Sequence, residues 1–237
     1  MPNPFFNFKH FTVYHDKCAM KVGTDGVLLG AWTDVGNARN ILDVGTGTGL
    51  IALMLAQRSA NTIIKGVDID GNAVEQAMEN VAASPWKERI SIELEDVRIL
   101  GRKEQGKYDC IVSNPPYFQE NVHCPDKSRN MARHTSGLSF EDLLDAVGVL
   151  LSDEGCFSVI IPTDAASDFI SLAASCSLYL KRRTWVHTKP EAAPKRVLLT
   201  FSWKMETCST DHLTIETERH VYSPEFVKLV KDFYLAF

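Results

Sequence analysis

Ile41-Leu42-Asp43-Val44-Gly45-Thr46-Gly47-Thr48-Gly49-Leu50 is the stretch on which the reading of the fold turns. A short apolar run meets glycines at every second position, and a helical pattern continues from Leu50 to about Arg58. Strand, glycine turn and helix in that order open a parallel α/β sheet, whose ligands bind beyond the carboxyl ends of its strands. Glycine there admits positive φ and lets a ligand come close to the backbone. The spacing is GxGxG with Leu50 next, which departs from the GxGxxG dinucleotide fingerprint. It also lacks the Lys and Ser/Thr pair of a phosphate-binding P-loop.

Working outward, short β-rich runs keep alternating with helical patterns. Ile63–Asp68, Ile90–Leu94, Tyr108–Ser113 and Cys156–Ile161 read as strands. Asn72–Ala83, Phe140–Leu151 and Asp164–Ser175 read as helices. Leu180–His187 and Val197–Lys204 follow without a helix between them, which predicts an antiparallel hairpin at one edge. The expectation is α/β: one doubly wound, Rossmann-like domain over residues 1–237, with a mostly parallel seven-stranded sheet and 1–39 as an N-terminal extension. Pro224 to Phe237 reads as an amphipathic helix that packs on the core.

Composition bounds the classes. Of 237 residues, 45% are apolar and 23% charged, which excludes wholesale disorder. No run approaches the roughly 18 apolar residues of a membrane-spanning helix, and Met-Pro-Asn-Pro-Phe-Phe does not resemble a secretory signal. The six scattered cysteines suit reduced thiols in the cytoplasm, and the histidines show no metal-ligand spacing with them. No metal and no obligate protein partner are expected. A net charge of -5 argues against a general nucleic-acid coat but leaves room for a local basic patch.

Three aspartates end or follow consecutive strands. Asp68 stands where an acid grips ribose hydroxyls, and Asp96, after the third strand, could accept from an exocyclic amine. Asp70 reads better as a helix cap. Together they suggest an adenosine-like ligand without a large phosphate group, and S-adenosylmethionine fits better than NAD. The fourth strand runs into Asn114-Pro115-Pro116-Tyr117, where two prolines end the ladder with fixed φ. The Asn114 side-chain oxygen and the Pro115 carbonyl can accept both N–H bonds of a planar NH2 group, and the Tyr117 ring can stack on its heterocycle.

DVGTGTG at 43–49 with NPPY at 114–117 resembles the class I S-adenosylmethionine-dependent methyltransferases that modify amino groups. The runs Met20 to Trp32, Ser84-Pro85-Trp86, Asn114 to Phe118 and Ala132-Arg133-His134-Thr135 resemble more narrowly the bacterial tRNA1(Val) (adenine-N6)-methyltransferases, over nearly the whole chain. That resemblance implies S-adenosylmethionine as cofactor and methylation of the adenosine just 3′ of the anticodon, so a tRNA anticodon loop as partner. It implies Asp43, Gly45, Gly47 and Gly49 at the methionine part, Thr24 and Asp25 reaching the same end, and residues 1–39 folding over it. Asp68 would hold the ribose, Asp96 with the Val97 N–H the adenine, and Asn114 would also line the cofactor site; Asn114, Pro115, Pro116 and Tyr117 would be catalytic. NPPY also occurs in DNA and rRNA adenine methyltransferases and in protein glutamine methyltransferases, so those substrates remain alternatives. Protein glutamine methyltransferases usually carry a sizeable N-terminal helical domain, whereas only about forty residues precede the glycines here.

RNA contacts are expected where the charge departs from the acidic average. Lys127, Arg129 and Arg133 follow the tetrad, and Arg182, Arg183, Lys195 and Arg196 lie in a basic C-terminal run. Such residues set position and salt dependence more than sequence preference.

Overall fold

The computed structural model describes residues 3–18, 20–116 and 137–237. A hairpin of β1 (Phe5–Asn7) and β2 (Thr12–Tyr14) leads to helix α1 (Thr24–Trp32). The alternation follows as β3 (Asn40–Val44), α2 (Leu50–Arg58), β4 (Ile63–Asp68), α3 (Gly71–Ala82), β5 (Ile90–Leu94), the short α4 (Val97–Leu100) and β6 (Tyr108–Ser113). The second half is α5 (Phe140–Leu150), β7 (Leu151–Pro162), α6 (Ala166–Ser175), β8 (Tyr179–His187), β9 (Arg196–Ser202) and β10 (Ser209–Thr214). A small hairpin, β11 (Glu216–Glu218) with β12 (Val221–Tyr222), precedes α7 (Pro224–Val230).

Local chemistry sets the helix starts. The Asp70, Asp96, Ser139 and Ser223 side chains each accept a backbone N–H from the first turn of α3, α4, α5 and α7. Helix α2 is buried from Leu50 to Ala56 because α1 lies against its outer side while its inner side meets the sheet. The same crowding buries α1 from Gly26 to Trp32, so neither helix shows an amphipathic stripe.

Among the described residues, eight strands form the main sheet in the order β10-β8-β9-β7-β6-β3-β4-β5. The pairs from β5 through β7 are parallel, β9 is antiparallel to both β7 and β8, and β10 is parallel to β8. The predicted doubly wound sheet and its antiparallel hairpin are both present. The eighth strand is an addition to the expected seven, and it covers β8, so the hairpin is not the sheet's border. Its sequence, Ser-Thr-Asp-His-Leu-Thr, buries only Leu213 and has no apolar period to read.

Alternation along the central strands feeds two cores. Ile41, Cys110, Val112 and Leu198 face α1, α2, the N-terminal hairpin and α7. Leu42, Val44, Ile111, Leu199 and Phe201 face α5 and α6. Helix α7 ends at Val230, earlier than the amphipathic pattern suggests, and packs Phe226 and Val230 into the first core as expected. No helix among the described residues is long and apolar enough to cross a membrane.

Candidate active site

Strand β3 sits between β4 and β6, and successive crossovers leave it in opposite directions, toward β4 and β5 on one side and β6 and β7 on the other. The crevice between β3 and β6 is therefore the switch point at which open α/β sheets bind ligands. Val44 pairs with Ser113, so the glycine turn and Asn114 leave adjacent strands at one level. The Ser113 hydroxyl donates to the Val44 carbonyl at 3.0 Å and fixes that level.

The turn is built by backbone conformations that favour glycine: φ is 69° at Gly45, 55° at Gly47 and 78° at Gly49. Its amides are anchored to the next strand. Gly45 and Thr46 donate to the Val67 carbonyl at 2.9 and 3.0 Å, and Gly47 donates to Asp68 Oδ2 at 2.9 Å. Gly66 is required beneath it, since a Cβ there would stand 2.7 Å from both Thr46 Oγ1 and Ile92 Cδ1.

Asp43 lies behind the turn with no exposed surface. Its Oδ2 accepts the Thr46 hydroxyl at 2.7 Å and the Ala52 N–H at 3.2 Å, while Oδ1 is buried without a hydrogen-bond partner. Burial pushes its carboxyl up from 3.8 to about 7, against those two bonds. A folded-state carboxyl raised in this way holds its proton after the unfolded chain has lost its own. Its contribution to stability is then fullest below about pH 4 and is lost as the pH rises toward 7, each pH unit crossed removing at most about 1.4 kcal/mol. Asp43→Asn keeps both accepted bonds and carries no charge. In ligand-free thermal melts, the variant is expected to match wild type near pH 4 and to exceed it increasingly toward pH 8.

Asp68 closes β4 half-exposed; Oδ1 accepts the Asp70 N–H at 3.0 Å, and Oδ2 holds the turn. Asp70 is the cap of α3, accepting the Asn72 N–H at 2.9 Å, as its spacing suggests. Asp96 caps α4 through the Arg98 N–H at 2.9 Å, and the Arg98 guanidinium clamps both carboxylate oxygens at 2.6–3.0 Å. Those Arg98 bonds hold the Asp96 carboxyl below its ordinary range despite partial burial. Val97, buried, opens α4. Sequence reasoning misses Arg98, although a basic residue two places beyond a capping acid is a readable signal.

Pro115 is buried and Asn114 partly so where β6 ends, while Pro116 is exposed. Tyr117, Lys127, Arg129 and Arg133 lie outside the described residues. Thr24 and Asp25 open α1, and Asp25 Oδ2 accepts from Arg196 Nε at 2.8 Å, joining α1 to the start of β9. Because β9 runs antiparallel to β7, with Arg196 opposite Pro162, Lys195 and Arg196 stand at the same sheet edge as the glycine turn.

Arg182 and Arg183 lie further back along β8, and strand alternation sends them to opposite faces. Arg182 stacks 4.2 Å over the Trp32 ring and donates to the Trp32 carbonyl at 3.3 Å, beside the bond from Trp32 Nε1 to Thr184 Oγ1 at 2.9 Å. Arg183 lies over Trp185 at 5.0 Å and donates to Thr210 Oγ1 at 3.3 Å. Arg182→Ala is accordingly expected to cost about 1–2 kcal/mol of stability, read as a lowered melting temperature, and to leave the salt dependence of RNA binding unchanged.

No group of three His, Cys, Asp or Glu side chains among the described residues could hold a metal ion.

The fold and this crevice define a class I methyltransferase. The Methyltransferase small domain family matches residues 19–137. A predicted O-methyltransferase of Agrobacterium tumefaciens shares the fold at TM-score 0.67 and 20% identity, over 88% of this chain and 96% of that one. At full length the chain is 58% identical over 235 residues to the tRNA1(Val) (adenine(37)-N6)-methyltransferase of Phocaeicola vulgatus, covering 99% of both chains. It is 53% identical to the protein of that name from Bacteroides fragilis, over 99% of both, and 47% to that of Trichodesmium erythraeum, over 98% of both. The chain belongs to the family of tRNA1(Val) (adenine-N6)-methyltransferases.

Proposed function

We propose that this chain transfers a methyl group from S-adenosylmethionine to adenine N6 in tRNA, at the adenosine just 3′ of the anticodon of tRNA1(Val). The pairing of Val44 with Ser113 carries the reading, because it delivers a glycine turn and an amine-accepting Asn-Pro pair to one crevice at one level. The relatives' names supply the nucleic acid and the position.

The residues present fit the cofactor. A Cβ at Gly45 would meet nothing within 4 Å, and one at Gly47 only the Gly45 carbonyl oxygen at 4.0 Å, so the turn offers open backbone to a ligand. Gly45, Gly47, Gly49 and Asp43 would hold the methionine end, with Thr24 and Asp25 reaching it from the N-terminal extension 1–39 as a cover. Asp68 would take the ribose, and Asp96 with Val97 the adenine. When bound, S-adenosylmethionine supplies an electrophilic methyl on a positively charged sulfur.

The chain's own residues prepare the nucleophile. Asn114 Oδ1 and the Pro115 carbonyl accept the two N–H groups of the target amine and favour a tetrahedral nitrogen with a localised lone pair. Fixed φ at Pro115 and Pro116 keeps those acceptors in place. No strong general base is required, because the proton leaves after the methyl group has arrived. Tyr117 stacks on the base, which an anticodon loop presents out of the helix at lower cost than a duplex would. Orientation of this kind supplies on the order of 7–11 kcal/mol. Lys195 and Arg196 at the sheet edge, with Lys127, Arg129 and Arg133, are the proposed phosphate contacts, and the setting is the cytoplasm.

Methyl-labelled cofactor offered with tRNA, rRNA, DNA and protein fractions, followed by nucleoside and amino-acid analysis, tests the reading. Label is expected in N6-methyladenosine of tRNA. Label confined to rRNA, DNA or protein glutamine would overturn the substrate assignment.

A further inference from the structure

Asn80 is a polar side chain 1% exposed on α3, the helix that follows the ribose-side strand, and its amide makes three hydrogen bonds to backbone. Oδ1 accepts the Tyr14 N–H at 2.9 Å, and Nδ2 donates to the Tyr14 carbonyl at 2.9 Å, as a neighbouring strand would. The second Nδ2 hydrogen goes to the Thr48 carbonyl at 2.9 Å. Thr48 lies inside the glycine turn, between Gly47 at φ 55° and Gly49 at φ 78°. Tyr14 ends the N-terminal hairpin, and the chain runs on from it toward Thr24 and Asp25.

Further contacts extend the tether on one side only. Gln76, also 1% exposed and one turn earlier on α3, accepts the Lys17 N–H at 3.2 Å. Lys17 Nζ reaches Glu75 and Glu79 of the same helix at 2.5 and 2.7 Å. The segment 14–17 is thus laid along α3 by side chains of the helix, and Asn80 alone among these also touches the glycine turn.

We propose that Asn80 is a positioning residue for S-adenosylmethionine, setting the glycine turn and the lead-in to the N-terminal cover from one amide. The inference rests on the cofactor reading above and deepens it. Neither half of the cofactor site is held by Asn80 through a charge or a covalent link. Removing the amide strands the buried Thr48 carbonyl and takes the partner from both part-buried Tyr14 backbone groups, and the two halves lose their common reference.

Three variants, Asn80→Ala, Asn80→Asp and Gln76→Ala, separate this role from general stabilisation. Calorimetric titration with S-adenosylmethionine is run beside the KM for tRNA and kcat at saturating cofactor. Asn80→Ala is expected to raise the cofactor Kd about tenfold, the scale set by one stranded buried group, with the tRNA KM unchanged. Gln76→Ala, which frees only the Lys17 N–H, should raise it less. Asn80→Asp keeps side-chain size and the bond from the Tyr14 N–H but neither donated bond, so it should follow the alanine variant and serves if alanine does not fold. A folded Asn80 variant with wild-type cofactor Kd overturns the proposal, as does an equal loss of cofactor and tRNA affinity. Failure of the wild-type chain itself to bind S-adenosylmethionine would overturn the cofactor reading instead.

Discussion

Asn114→Ala is expected to lower methyl transfer to tRNA on the order of 10²-fold or more while leaving the S-adenosylmethionine Kd close to wild type. The loss is that of a preorganised polar group aimed at a reacting atom, which costs on that order in turnover when removed. Its selectivity follows from position. Asn114 leaves β6 on one side of the crevice, whereas the glycine turn leaves β3 and is tied to β4 through Val67 and Asp68. In the proposed role, truncating Asn114 removes an acceptor for the target amine, while the bonds from Gly45, Thr46 and Gly47 to β4 run between other residues. Single-turnover transfer and calorimetric cofactor binding on the same preparation provide the check. Retained wild-type transfer would remove Asn114 from the mechanism, and parallel loss of cofactor affinity would move its role to binding.

Asp68→Ala should show the reverse pattern, a rise of about 100-fold in the cofactor Kd. A carboxylate offers about four lone-pair sites. Two are used here, by the N–H groups of Gly47 and Asp70, which leaves acceptors for a pair of ribose hydroxyls. Hydrogen bonds to a charged group contribute about 1.5–3 kcal/mol each, so even at the lower end losing the ribose pair amounts to about two tenfold steps. Asp68→Asn retains one acceptor oxygen and is expected to fall between wild type and alanine. Turnover at saturating cofactor should change much less than affinity, and a variant with lowered kcat at an unchanged Kd would contradict this role.

The two predictions also show why parts of the site are readable from the chain. Asp68 and Asn114 each end a strand, and a strand end is a local event, visible in a short apolar run and the residues that stop it. Crossover handedness narrows the possible sheet orders without choosing one, but the glycine turn after the first strand marks the ligand edge beside Gly45 in one dimension. Asp70 and Asp96 carry the same local signal, an acid after a strand, and yet differ in use. Asp70 is consumed by the N-terminus of α3, and Asp96 is shared between the α4 cap and Arg98.

Non-local pairings are beyond such reading. The basic run from 182 to 196 looks like one patch. Period-two alternation places Arg182 on Trp32 and Arg183 on Trp185, on opposite faces, and only the register of β9 against β7 brings Arg196 to the sheet edge that bears the glycine turn. Its partner Asp25 is 171 positions away in the chain, a separation that no window of sequence spans. Strand β10 joins the sheet by backbone hydrogen bonds to β8 with a single buried apolar residue, leaving no hydrophobic period to find. Asn80 reads as one more polar residue in an amphipathic helix, since its partners Tyr14 and Thr48 are 66 and 32 positions distant.

The one-dimensional pattern thus points to the chemistry: a glycine turn after one strand names a cofactor class and an Asn-Pro pair after another is the proposed amine acceptor, because both motifs are close in the chain. Folding in three dimensions assigns the individual charges. Whether an aspartate caps a helix, clamps an arginine or faces a ligand depends on which distant group reaches it first, and burial and strand register fix that distance.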